Sequence, residues 1–134
     1  MWLQRQITLT AKSRGLYLIS DKVLSSLLEF KKVETGLAHF FLQHTSSSLS
    51  LNLNADASAR RDLEFHFNVL VPESASYYEY IYGDVYDMHA HIKSSLLGSF
   101  LSLPIHNGEI MLGIWKGLVL GGHRDAAGSR CGVQ

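Results

Sequence analysis

The chain holds a single cysteine, Cys131, so an internal disulfide framework is excluded and no cysteine-based metal cluster can form within it. It also lacks an excess of either charge. Twelve basic and twelve acidic residues leave no basic stripe of the kind that marks a nucleic-acid or anionic-lipid surface. No apolar run reaches the roughly 18 residues of a membrane span, and the N-terminus, with Arg5, has no apolar core of signal length. These absences point to a cytoplasmic protein, with neither nucleic acid nor membrane among its partners. Charged residues are scarce as well, at 18% against about a quarter in ordinary domains, which suggests surface hidden in an oligomer. Several catalytic templates are missing: the phosphate-binding Gly-Lys-Ser/Thr loop, the dinucleotide-binding glycine pattern, the His-Glu-x-x-His helix and the Gly-x-Ser-x-Gly elbow of serine hydrolases.

What is present is enough for one domain. A chain of 134 residues with 46% hydrophobic content can bury its own core, and residues 1–134 are read as a single unit. Residues 1–12 alternate as a half-buried strand, and Leu16–Ile19 reads as a second strand able to pair back on it. Ser20 is placed to cap a helix whose apolar stripe runs Val23, Leu24, Leu27, Leu28 and Phe30 to Lys31-Lys32. Gly36–Leu42 has the length of a central strand, and Leu49–Asn54 alternates as the next. Asp56 can cap a helix with Ala59, Leu63, Phe67 and Leu70 on one face, stopped at Pro72. A tyrosine-rich loop with a short strand follows over residues 73–87, then a short helix over 90–97 closed by Gly98. Strands over 99–105 and 109–120 flank a hairpin turn at His106-Asn107-Gly108, with Gly113 and Gly117 marking bulges or close backbone approach. The sum is an α+β fold, a mostly antiparallel, sandwich-like core with two or three helices.

Two polar constellations stand out. The run Gln43-His44-Thr45-Ser46-Ser47-Ser48 concentrates an imidazole and four hydroxyls between two strands, groups that suit an anion-binding or proton-transferring pocket or, equally, a self-bonded polar turn. The second, Asp87-Met88-His89-Ala90-His91-Ile92-Lys93-Ser94-Ser95, enters a helix, where backbone N–H groups and Lys93 would attract an anion. Asp87 and His89-x-His91 are also possible metal ligands. His39 and His66 read as surface or core-edge residues, and the tyrosines from Tyr77 to Tyr86 as a packed interface. Arg124 and Arg130 can grip phosphate or carboxylate or lie in solvent, and Trp115 fits the core or a subunit interface.

These motifs resemble a known family. Gln43–Leu49 with Asn52-Leu53-Asn54-Ala55-Asp56, Asp87-Met88-x-x-His91-Ile92-Lys93-Ser94-Ser95-Leu96-Leu97-Gly98, Pro104-x-x-x-Gly108 and Leu112-Gly113-Ile114-Trp115-Lys116-Gly117 are similar to the YjbQ family, also called secondary thiamine-phosphate synthase. The resemblance implies a small homotrimer with a polar cleft near its subunit contacts. It also implies a weak activity that joins hydroxymethylpyrimidine diphosphate to thiazole phosphate with release of pyrophosphate. Family positions fall on His44, Thr45, Ser46, Asn54, Asp62, Asp87, His91, Lys93, Trp115 and Arg130. On this reading His44, His91 and Asp87 are catalytic, and Thr45, Ser46, Ser47, Asn54, Lys93 and Arg130 hold a small phosphorylated metabolite. Asp87, His91 and His44 would ligate Mg²⁺ or another divalent metal, and no organic cofactor is expected. Tyr86-Asp87-Met88 stands where many relatives have Asp-Asp-Asn, which removes one carboxylate. Two other readings remain open: a non-catalytic module binding a small anion or metal at the trimer cleft, and a metal-assisted hydrolase using His44, His91 and Asp87.

Overall fold

The computed structural model describes residues 2–10, 13–80 and 87–124, together with the backbone of residues 130–133. Strand β3 (Thr35–Phe41) pairs antiparallel with β5 (Phe100–His106), and β5 turns back on β6 (Glu109–Ile110), giving one three-stranded sheet. The β5–β6 turn is the one expected, with Asn107 at φ 51° and Gly108 at φ 75°. Two successive left-handed residues match the twist of a tight hairpin. In the second sheet β7 (Lys116–Gly122) lies between β2 (Gly15–Leu18) and β4 (Ser47–Leu53), antiparallel to both. A short pair, β1 (Ile7–Leu9) with β8 (Arg130–Val133), completes the β structure.

Phe40 and Leu103 from the first sheet, Leu49, Leu118 and Leu120 from the second, and Ile7, Leu9 and Val23 form one buried apolar cluster. Each fully buried side chain of this size is worth about 1.5–3 kcal/mol, so this contact between layers holds the sandwich together. The fold is α+β with helices α1 (Ser20–Ser25), α2 (Ala57–Leu70) and α3 (Asp87–Leu97). Asp56 caps α2 as expected, its carboxylate accepting from the Ser58 N–H at 2.8 Å, and the helix ends before Pro72.

Several local expectations are corrected. Leu16–Leu18 does not return along β1. Gly15, at φ 154°, takes a conformation open to glycine, and the strand pairs with β7 instead. The single helix expected over 20–32 is broken, because the Ser25 and Ser26 hydroxyls both bond back to the Lys22 carbonyl, at 3.1 and 2.8 Å. The chain resumes as a 3₁₀ turn over Leu28–Lys32. Ser20 is inside α1, its hydroxyl accepting from the Leu118 N–H at 2.7 Å and so tying the helix to β7, and Ile19 holds the cap position. The strand expected over 109–120 is interrupted at Gly113, φ 80°, leaving Ile114 and Trp115 exposed. Gly117 is a close approach as expected: a Cβ there would meet the Leu18 side chain and the Ser20 hydroxyl. The strand expected within the tyrosine-rich stretch is not found over residues 73–80. Residues 81–86, with Tyr82, Asp84 and Tyr86, and residues 125–129 lie outside the described chain.

Candidate functional site

β3 belongs to one sheet and β4 to the other, so residues 42–46 are the crossover between the layers. Leu42, almost fully buried, fixes its start by donating its N–H to the Ser99 carbonyl at 2.8 Å. His44 then turns inward on its own loop. Its Nδ1 accepts from the Ser46 backbone N–H at 3.0 Å, with the Ser47 hydroxyl 3.5 Å away. A backbone amide can only donate, which assigns the proton of the neutral ring to Nε2.

Helix α3 lies against this crossover. Its described residues run Asp87–Leu97, already helical three residues before the expected start, and Gly98, φ 91°, terminates it. The Ser94 hydroxyl donates to the Ser47 carbonyl at 2.7 Å, and the Gly98 carbonyl accepts from the Leu49 N–H at 2.9 Å, so helix and strand are locked at two points. One turn earlier His91 faces the loop. Its Nδ1 is 3.2 Å from the Thr45 carbonyl oxygen and 3.4 Å from the Ser46 hydroxyl. Because a carbonyl only accepts, the His91 proton is on Nδ1 and the lone pair on Nε2, the opposite tautomer to His44. The Tyr80 ring stands edge-on to His91 with centroids 5.4 Å apart. Asp87, one turn from His91 on the same side of α3, is nearly buried and pairs with Arg124 Nε at 3.0 Å. Neighbouring Tyr78 donates to the Pro72 carbonyl at 3.0 Å, and burial first, then Tyr77, pushes its hydroxyl pKa up, keeping it a donor.

Below the loop lies a buried imidazole that the sequence reading did not single out. His123 Nε2 is 2.9 Å from the Ser48 hydroxyl, and the His123 N–H donates to the Ser46 carbonyl at 3.1 Å. Both side chains are fully buried. Their closeness requires Gly121, where a Cβ would collide with the Ser48 hydroxyl and lie 2.8 Å from the His123 ring. The one available signal was register: Gly121 and Gly122 lie opposite Ser48 and Ser47, so small residues face small residues where the imidazole enters.

The structure thus brings together His44, Thr45, Ser46, Ser47, Asp87 and His91, and adds Arg124. It places two other expected residues, Lys93 and Asn54, elsewhere. Lys93 lies in the second turn of α3, is almost fully buried, and donates to Asn68 Oδ1 at 2.5 Å, an oxygen that Arg14 also reaches at 2.6 Å. Asn54 sits beyond the far end of β4, about 20 Å from Ser47 at strand rise, where its amide donates to the Ile114 and Lys116 carbonyls at 3.1 and 3.3 Å. Of Arg130 only the backbone, in β8, is described. Asp62 and Trp115 are exposed, as are His66 on α2 and His39, the latter bonded to Ser102 at 2.7 Å on the outer face of the first sheet. His89 is buried on the inner side of α3, not beside His91.

The proposed metal ligands do not form a binding set. Among the described residues no three His, Cys, Asp or Glu side chains are grouped to hold an ion. His44 Nδ1 is engaged by its own loop, and Asp87 by Arg124. Nor is any helix among the described residues long and apolar enough to cross a membrane.

The family model described as UPF0047 protein YjbQ-like matches residues 5–131. The chain is 48% identical over 130 residues to the UPF0047 protein YjbQ of Escherichia coli O157:H7, covering 97% of this chain and 94% of that protein, and 49% identical over the same length to YjbQ of Salmonella typhimurium. Among solved structures, a conserved hypothetical protein of Thermus thermophilus superimposes with a TM-score of 0.81 at 26% identity, covering 98% of both chains. A YjbQ/UPF0047 family protein of Clostridium acetobutylicum gives the same TM-score at 25% identity, over 98% of this chain and all of that one. With the fold and nearly the whole sequence in agreement, this chain belongs to the YjbQ/UPF0047 family.

Proposed function

We propose that the protein is a phosphate-handling transferase of the thiamine-phosphate type, joining hydroxymethylpyrimidine diphosphate to thiazole phosphate. The observation that carries this reading is the pair His44 and His91, held by main-chain groups in opposite tautomers beside three serines and Arg124. The specific substrates come from the family resemblance. In the reaction the bond from the pyrimidine methylene carbon to the diphosphate oxygen breaks, its electron pair leaving with pyrophosphate. The thiazole nitrogen lone pair then forms the new C–N bond. Developing negative charge on the leaving oxygens needs donors already in place, and His44 Nε2–H, the Thr45 and Ser46 hydroxyls and the Arg124 guanidinium supply them. His91 can take a proton on Nε2 without losing its bond to Thr45 and hand it to the departing oxygen. Among the described residues no three metal-ligating side chains are grouped, and no step is routed through a divalent ion.

The same reading makes the protein a cytoplasmic homotrimer. Support comes from the outer face of the first sheet, where Leu37, Phe41 and Phe100 are exposed together across paired strands. The test of function is steady-state turnover with both purified substrates. Thiamine phosphate should form, and His91→Ala should abolish it at unchanged Tm. Saturable binding of the diphosphate with no product over hours would instead make this an anion-binding module.

A further inference from the structure

Helix α2 has no buried residue, although it is the longest helix among the described residues, and a cleft of about 370 Å³ opens between it and β2. Leu16 of β2 and Arg60, Arg61, Glu64, Phe65 and Asn68 of α2 line it. The cleft is separate from the crossover site. Ser94 on α3 turns to the crossover while its neighbour Lys93 turns to Asn68, so α3 stands between the two.

The charges around the cleft are unevenly engaged. Glu64 is occupied at its inner end, 3.3 Å from the Asn68 amide and 3.7 Å from Arg14 Nε, and Arg14 also holds Glu73 at 3.1 Å. Asp56, at the start of α2, is held below its ordinary pKa chiefly by the Ser58 backbone N–H and only secondarily by Arg61 and Arg60. Arg60 makes one long bond, from a terminal guanidinium nitrogen to the Leu53 carbonyl at 3.4 Å. Arg61 makes no hydrogen bond or close ion pair among the described residues. Two adjacent guanidiniums therefore keep donors available at the mouth of a cleft. Its walls include a half-buried Leu16 and a Phe65 that is 72% exposed.

A volume of this size, apolar walls and a few convergent polar groups are the features of a small-ligand site. We propose that the α2–β2 cleft binds a small anion borne on a flat apolar group, the phosphate or carboxylate held by Arg60 and Arg61 and the apolar part lying against Phe65 and Leu16. Planar guanidiniums suit either headgroup, since both present paired oxygens.

The test is titration of the full-length protein with phenyl phosphate, benzoate and inorganic phosphate, followed by calorimetry and by NMR shifts of the Phe65 ring. Either aromatic anion should bind and move the Phe65 signals, the tighter one identifying the headgroup. The Arg60→Gln/Arg61→Gln double variant should weaken binding by about tenfold or more, as the loss of one charge-assisted bond entails. Phe65→Ala should weaken the aromatic anions but not inorganic phosphate. His91→Ala, in the other site, should leave the Phe65 shifts produced by the two aromatic anions unchanged. The proposal is overturned if neither aromatic anion moves the Phe65 signals at millimolar concentration, if the double arginine variant gives the same Phe65 titration as the wild type, or if His91→Ala removes the Phe65 shifts.

Discussion

His91 illustrates how much of the proposed chemistry depends on one hydrogen bond to the main chain. Its Nδ1 is committed to the Thr45 carbonyl, so the ring cannot flip without stranding that bond, and Nε2 is the nitrogen left for proton transfer. His91→Gln, which keeps a donor but no base, is expected to lower turnover by about 10²–10⁴ with little change in Tm, read from kinetics and calorimetry on the same preparation. Gly121 makes the opposite kind of prediction. Gly121→Ala forces a methyl group against Ser48 and His123 in a fully buried place, and should cost about 1–3 kcal/mol in denaturant unfolding. The residues of the crossover were legible in the sequence because hydroxyls and imidazole between two strands are conspicuous. His123 was not, since its role depends on a register between strands about 70 residues apart. Lys93 was read as an anion ligand for the same reason: its direction is set by Asn68 on another helix, which no local pattern reveals.

Several elements fixed by local chemistry were read well, the helix broken at Ser25 and Ser26 being the exception, whereas two strand pairings between distant segments were missed. The α2 cap, the Asn107-Gly108 turn and the Gly98 terminator each depend on neighbours within a few residues. The pairings of β1 with β8 and β2 with β7 join opposite ends of the chain, and a turn-rich segment between β1 and β2 suggested a hairpin that does not exist. The α2 cap also carries a pH signature. The Asp56 carboxyl is held below its ordinary value of 3.8, first by the Ser58 backbone N–H. A depressed pKa means that this stabilisation is present above the ordinary value and disappears as the pH falls through the folded one. Asp56→Ala should therefore melt earlier than the wild type at neutral pH, and the two melting curves should converge below about pH 3.8.

For the whole molecule, the sandwich supplies rigidity and the crossover between its sheets supplies the proposed site. That arrangement places donors on a loop tied at both ends, by Leu42 to Ser99 and by Ser47 to Ser94. The exposed apolar face of the first sheet follows from a strand pair whose two sides are both apolar, with Phe40 and Leu103 inward and Leu37, Phe41 and Phe100 outward. Sedimentation equilibrium should give three times the chain mass, and Phe100→Asp should shift the species toward monomer if this face forms the contact. Everything proposed for the crossover site depends on its performing a transfer that releases pyrophosphate. The decisive measurement is of thiamine phosphate and pyrophosphate together, after mixing the wild-type protein with hydroxymethylpyrimidine diphosphate and thiazole phosphate. Both should appear at a one-to-one ratio, and neither should appear with His91→Ala. Absence of both products with the wild type, or equal rates from the two proteins, would rule the transfer out.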